Sequence, residues 1–469
     1  MDWPVVTLLA TAWALVMAVV IVLERRSAAA TIAWLVVLAF LPIVGLIAYR
    51  LIGPLRLERK KLRRLSGRKV VDDALQAIAQ IEATSPEDLQ LAQVSVGAGE
   101  APPLRAERVE VYLDGVSAYR AIGEAIEETR HHLHLEYYIW EPDGIGTRLR
   151  DQLAARARAG VEVRMVVDGT GCNHLGRPFL RPLRDAGVDI AWFNRVSLRR
   201  LRRRRADFRT HRKIVVCDGV VGFTGGMNIT DAHSAEFTGA YWRDTHLRVE
   251  GAAVASMQRV FMEDWYFATE TLPELSPRYF PPPSPGGAHV VQIVASGPDT
   301  DRFAIHKLLF TSITEARERV WATTPYFVPD EPILTAMITA ALRGVDVRLL
   351  VPRKGDSRLV DLAARSYFPE LVDAGVRIFE YEPRFIHAKT MVVDDDVAII
   401  GTANLDNRSF RLNFEIAAVL YGEPEAGLLA RAFEDDSRGS RELLAADLEG
   451  APFLRRLGQA GARLLSPLL

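Results

Sequence analysis

The sequence predicts an α/β protein in which an N-terminal two-helix transmembrane hairpin precedes a duplicated α/β/α sandwich, two pseudo-symmetric halves sharing one active site. Three observations carry this expectation. Two uncharged apolar runs open the chain. Whole phrases then recur: Gly160-Val161-Glu162-Val163-Arg164-Met165 returns as Gly344-Val345-Asp346-Val347-Arg348-Leu349, and Asp185-Ala186-Gly187-Val188 returns as Asp373-Ala374-Gly375-Val376. A polar pattern, His-x-Lys-x4-Asp, occurs at His211 and again at His387, 176 positions later.

Pro4 to Leu23 is twenty residues without a charge, enough as a helix to cross a hydrocarbon core of roughly 30 Å. After Glu24-Arg25-Arg26-Ser27 a second uncharged run extends from Ala28 to Tyr49, with Pro42 and Gly45 as breaks that membrane helices tolerate. Asp2 stands where a cleaved signal peptide would be positive, which favours a hairpin over a signal. From Arg50 to Lys69 nine Lys/Arg face Glu58 alone, and the positive-inside bias puts all that follows in the cytoplasm, beneath a plasma membrane spanned more than once. The expected divisions are 1–53 for the hairpin, 54–103 for a basic stem and linker, 104–280 for the first half and 288–469 for the second. Pro281-Pro282-Pro283-Ser284-Pro285-Gly286-Gly287 separates the halves, because that run suits neither a helix nor a central strand.

Within each half, strand-like apolar runs alternate with amphipathic stretches such as Gly146–Gly160 and Pro332–Gly344, the pattern of a sheet covered by helices. The repeat offset is 188 at Asp185 and 176 at His211, so the first half carries an insertion of twelve between them. Arg195 to Lys213 fills it with ten Lys/Arg against Asp207, a charge run that reads either as a solvated loop or as a binder of anionic groups. Two cysteines, Cys172 and Cys217, are too few for a disulfide framework. The tail from Phe453 to Leu468 has helical apolar spacing, for which packing on the core is the default and peripheral membrane contact the other reading.

Each motif lies on a hairpin: Lys213–Val216 turns at Asp218, and Lys389–Val393 turns at Asp394. His and Lys two apart on a strand project from one face. Imidazole is a nucleophile and an acid or base near neutrality, while Lys ammonium and Asn amide donate to anionic oxygens. Asn228 and Asn404 each follow their own His by 17 residues, in small-residue turns. Asp218 and Asp394 belong to the motif's catalytic pattern, yet Asp in a tight turn is favoured for backbone bonding, and a structural anchor is the better reading. Asp244 and Glu415 stand downstream as further carboxylates. Their partners are not readable from the sequence. His131-His132-Leu133-His134 reads as an alternating strand, not as a metal cluster.

On the two His-x-Lys-x4-Asp motifs with their trailing Asn, the chain resembles the phospholipase D superfamily. The apolar N-terminus, Ala322-Thr323-Thr324-Pro325-Tyr326-Phe327-Val328-Pro329-Asp330 and Val294-Ala295-Ser296-Gly297-Pro298-Asp299 resemble the membrane-bound bacterial cardiolipin synthases within it. The resemblance implies transfer of a phosphatidyl group from one phosphatidylglycerol to another through a phosphohistidine. Asp244 and Glu415 would orient the imidazoles, and neither metal nor cofactor would take part. Phosphatidylglycerol, other anionic phospholipids and the membrane are the expected partners, and nucleic acid is not. A hydrolase using water, a tethered nuclease and an inactive lipid-binding scaffold are the rival readings.

Overall fold

The protein is described by a computed structural model at residues 13, 15–24, 28–41, 43–46, 49, 90–195, 208–239, 241–273, 277–282, 286–299, 302–450 and 452–469. The basic stem, most of the arginine run and the middle of the proline-rich boundary lie outside these residues. The chain divides into two units, Met1–Lys61 with Val196–Phe208, and Leu62–Arg195 with Arg209–Leu469.

In the smaller unit the expected transmembrane hairpin does not stand. The second apolar run forms a helix, Ala28–Phe40, of 13 residues; at 1.5 Å per residue it reaches about 20 Å, short of a hydrocarbon core of roughly 30 Å. It stops ahead of Pro42, a residue whose ring disfavours helix just before it. Among the described residues no helix is long and apolar enough to cross a membrane, which removes the multi-pass expectation with the hairpin. Ile21, Leu38 and Tyr49 form a small cluster instead, and the Tyr49 hydroxyl donates to Glu24 at 2.8 Å.

The larger unit has the duplicated α/β architecture. One sheet runs, in spatial order, Arg108–Tyr112, His246–Glu250, Val221–Gly225, Lys213–Cys217, His132–Tyr137, Glu162–Asp168 and Asp189–Phe193. The other runs Leu104–Ala106, His289–Ser296, Asn413–Tyr421, Val397–Gly401, Thr390–Val393, Arg319–Thr323, Asp346–Pro352, Arg377–Tyr381 and Ser440–Leu443. Stripped of its two edge strands, the second order repeats the first strand for strand. In each sheet the motif strand is antiparallel to the strand His132–Tyr137 or Arg319–Thr323, which in turn pairs in parallel with the next.

Strand alternation gives each sheet two apolar faces, and three cores result. One lies within the first half, around Leu133, Leu149, Val163 and Phe223. Another lies within the second, around Leu308, Val320, Met337 and Leu349. The third is shared. It joins Ile214, Val216 and Leu247 to Val392, Ile400 and Ile416, with Met257 from the helix Val254–Thr269 and Phe433 from the helix Glu423–Arg438. The halves are therefore fused through a common core, and their motif strands face it from both sides. The first strand after the linker, Leu104–Ala106, pairs antiparallel with His289–Val291 of the second sheet.

The tail forms the helix Phe453–Leu464, but only Ala462 on it is buried. Its leucines do not pack on the core, against the default expectation.

Burial holds six imidazoles below the ordinary value of 6.5: His132 at about 2, His134 at about 3, His211 and His246 at about 4, and His233 and His387 well below it. The sign of the consequence is fixed. The unfolded chain binds protons on these groups as pH falls through 6.5 while the native chain does not, so acidification from pH 7 to 5 destabilises the fold. Each such imidazole contributes roughly 1–2 kcal/mol of that loss at pH 5. Among the described residues neither ring nitrogen of His132 has a hydrogen-bond partner, so His132→Phe should flatten the slope of unfolding free energy against pH. An unchanged slope between pH 7 and 5 would mean that this imidazole is protonated in the native state.

Candidate active site

His211 and His387 enter the site just ahead of their motif strands and are held in the same way. The His211 N–H donates to the carbonyl of Phe414 at 2.9 Å, and the His387 N–H donates to the carbonyl of Arg243 at 2.7 Å. The residue following each carbonyl is one of the two downstream carboxylates. Glu415 Oε2 lies 2.9 Å from His211 Nδ1, and Asp244 Oδ2 lies 2.7 Å from His387 Nδ1. The pairing is crossed: each half orients the imidazole of the other. With Nδ1–H donated to a carboxylate, the Nε2 lone pair of each ring is left for chemistry.

Each motif lysine folds back on its own strand. Lys213 Nζ donates to the His211 carbonyl at 2.7 Å, and Lys389 Nζ donates to the His387 carbonyl. Burial and Lys389 lower Lys213 to about 7. Burial lowers Lys389 to about 8, against the pull of Asp244 and Glu415. Glu415 and Asp244 pull both lysines upward but burial prevails, so an anion placed beside the two amines would favour their charged forms. Burial alone would raise Glu415, but His211, Lys213 and Thr402 outweigh it and hold the carboxyl at about 2. Burial, Lys389, Lys213 and His211 depress His387. Both imidazoles are accordingly neutral near pH 7 until an anion arrives.

Asn228 and Asn404 are buried beside this constellation. Their turns are pinned at equivalent positions by unlike residues: the Asn228 N–H points to His233 Nε2 at 3.4 Å, and the Asn404 N–H donates to Ser409 Oγ at 3.0 Å. The glycines of the first turn have a specific reason, since a Cβ at Gly226 would overlap the Asp244 carboxylate. Asp218 and Asp394, grouped by the pattern with the catalytic residues, end their strands at the opposite end from the histidines. Asp218 adopts φ 52° and accepts from the N–H groups of Arg130, His131 and His132. Asp394, at φ 48°, accepts from those of Arg317, Glu318 and Arg319. Each carboxylate fixes the motif hairpin to the start of the adjoining strand.

Several neighbours were not singled out in the sequence. His233 Nδ1 lies 3.4 Å from Asp244 Oδ2, so Asp244 faces two imidazoles. Thr402 donates to Glu415. Tyr138 stands edge-on to His211 at 5.1 Å, and Trp242 and Phe385 flank His387 at 5.4 and 6.0 Å. The available signal was position: His233 lies five residues after Asn228, as Ser409 lies five after Asn404. Arg212, between the motif His and Lys, is buried against Asp264 and donates to the carbonyls of Glu415 and Ser296, tying the first motif to the second half.

His233, Asp244 and His387 place donor atoms within 4.8 Å of one another, a set able to hold a cation. Lys213 and Lys389, which both depress His233 and His387, oppose a further positive charge there. His132 and His134 lie on a buried strand, His134 stacked on Phe261 at 4.5 Å with Nδ1 3.1 Å from Gln258.

Two fused α/β halves, each lending one His, Lys and Asn and a carboxylate for the other's imidazole, define a phospholipase D-like protein. A family profile described as "Cardiolipin synthase, PLD-like domain" matches residues 122–265 and 309–437, and one described as "Phospholipase_D-nuclease N-terminal" matches residues 11–54. A cardiolipin synthase of Geobacillus kaustophilus is 42% identical over 463 residues, covering 96% of this chain and 91% of that one. Cardiolipin synthase 1 of Bacillus anthracis is 39% identical over 466 residues, with the same coverage of each. The crystal structure of a Haemophilus influenzae phosphatidylserine synthase shares the fold at a TM-score of 0.61 and 15% identity, over 81% of this chain and all of that one. The chain belongs to the cardiolipin synthase family of phospholipase D-like enzymes.

Proposed function

We propose that this enzyme makes cardiolipin by a double displacement in which two phosphatidylglycerol molecules use the same site in turn. His211 Nε2 attacks phosphorus, the P–O bond to the outgoing glycerol breaks, and His387 delivers a proton to that oxygen. His387 then takes a proton from the terminal glycerol hydroxyl of the second lipid. The hydroxyl oxygen attacks phosphorus, and the P–N bond breaks. Atoms balance without water: two phosphatidylglycerols give cardiolipin and glycerol.

The crossed His–carboxylate geometry is the observation that carries this reading, because it leaves both Nε2 atoms free with two ammonium groups alongside. The anion itself raises the proton affinity of His387, which burial otherwise depresses. Lys213, Lys389, Asn228 and Asn404 take the non-bridging phosphoryl oxygens, where charge accumulates. Asp218 and Asp394 support the site only through the hairpins. The family membership favours lipid over nucleic acid, and transfer over hydrolysis.

The enzyme works at a membrane surface, on the cytoplasmic face. Supporting this is the basic stem from Arg50 to Lys69, which an anionic leaflet attracts by about 1 kcal/mol per residue. Incubation of the full chain with phosphatidylglycerol vesicles should yield cardiolipin and glycerol in equal amounts. Phosphatidic acid as the main product would replace transfer by hydrolysis, and cleavage of nucleic acid alone would end the lipid reading.

A further inference from the structure

The helix Phe453–Leu464 is inside out. At 100° per residue, Phe453, Leu454, Leu457 and Leu464 fall within an arc of about 100°, and Ala462 and Arg463 lie on the far side. The far side is the one that packs. Ala462 is buried. The Arg463 guanidinium lies 4.2 Å from the centre of the Tyr367 ring, pairs with Glu370 at 2.9 Å and donates to the Ser366 carbonyl at 3.3 Å. The apolar arc faces outward, with exposures of 57% at Leu457 and 82% at Leu464.

A leucine left in water forgoes on the order of 2 kcal/mol of burial, so such an arc calls for a cover. Two observations say what covers it. Arg455 and Arg456 are exposed on the polar side of the helix, at about 200° and 300° from Phe453 by the same count, and basic residues opposite an apolar arc are the arrangement of an interfacial helix on anionic lipid. The tail is also anchored beside the site. The Leu469 carbonyl accepts from the Arg408 N–H at 2.9 Å, and Arg408 lies on the short helix Asn407–Arg411 that follows Asn404. The Tyr367 hydroxyl donates to Ser466 Oγ at 2.9 Å, fixing the turn between.

We propose that Phe453–Leu464 is a membrane-docking helix, which seats its apolar arc in the interface of an anionic bilayer and so presents the site to lipids in that bilayer. The docking rests on the lipid-transferring reading above for its purpose, but not for its measurement. The charge and the arc select the surface. The tether to the Asn404 segment makes docking useful, because a diacyl substrate need not leave the bilayer to reach the imidazoles.

The test uses the full chain with Leu457→Cys carrying a polarity-sensitive fluorophore. Cys172 and Cys217 are buried, so labelling is selective. Phosphatidylglycerol vesicles should shift the emission to the blue, and nitroxide lipids should quench it. A label at Glu434→Cys, on the helix Glu423–Arg438, should not respond. Leu454→Ser, Leu457→Ser and Leu464→Ser combined should weaken vesicle binding roughly tenfold or more, yet leave turnover of detergent-dispersed phosphatidylglycerol unchanged, which a misfolded variant would not do. Conversion of lipid with no response from the label on the tail helix overturns the docking and spares the function. A response from that label without conversion does the reverse. A shift that follows protein concentration and ignores vesicles would assign the arc to a second copy of the chain and overturn the proposal.

Discussion

Replacing His387 by Ala should lower turnover of phosphatidylglycerol by about 10⁴ or more, and His211→Ala should do the same, because nucleophile and acid act as one unit. Their difference should appear with a phosphodiester whose leaving group needs no proton, such as a p-nitrophenyl ester. His387→Ala still has the His211 nucleophile. It should release one equivalent of nitrophenol in a burst and then stop, since nothing removes the proton from the incoming hydroxyl. The acid-labile phosphoryl group should remain on His211. His211→Ala should give neither burst nor label. If His211→Ala is the variant that traps the intermediate, the roles of the two imidazoles are exchanged. If both variants keep full turnover of the natural lipid, the two-half site is wrong.

Much of this site was legible because duplication leaves a double signature. One His-x-Lys pair could be two exposed strand residues; two pairs, each with its Asn at the same distance, mark two copies of one functional turn. The sheet alternation was readable for the same reason, as Gly160–Val167 and Gly344–Val351 are the strands Glu162–Asp168 and Asp346–Pro352 with their leading turns. Pairing across the halves was not readable. Asp244 and Glu415 lie 33 and 28 residues after the histidines of their own halves, and sequence distance favours a partner close by. Packing through the shared core decides otherwise. Helix length misled in the first segment: an uncharged run long enough to span sets only an upper limit, and the described helix ends ahead of Pro42. The tail misled in the opposite sense. Apolar periodicity shows that a helix has an apolar face and says nothing of which way that face points, so Leu454 and Leu457 read as core until Ala462 and Arg463 are seen to take the inward side.

The crossed geometry has a consequence that separates it from any account in which each half is self-contained. Asp244→Asn should remove the negative charge that fixes the His387 Nδ1–H tautomer and stabilises its imidazolium, and turnover should fall by about 10³–10⁴, as for a triad carboxylate made into an amide. Glu415→Gln should cost a similar factor through His211. The size of the loss does not distinguish the two, but its kind does. With the p-nitrophenyl ester, Asp244→Asn should behave as His387→Ala does, with a burst, a trapped phosphohistidine and slow resolution, because its damage falls on the proton carrier of the opposite half. Glu415→Gln should behave as His211→Ala does and fail at the first step. Asp244→Glu keeps the negative charge and should recover more activity than Asp244→Asn. Were Asp244→Asn instead to abolish the burst while Glu415→Gln left it intact, in a protein whose histidine variants show His211 to be the nucleophile, each carboxylate would be serving the histidine of its own half, and the pairing across the shared core would be refuted.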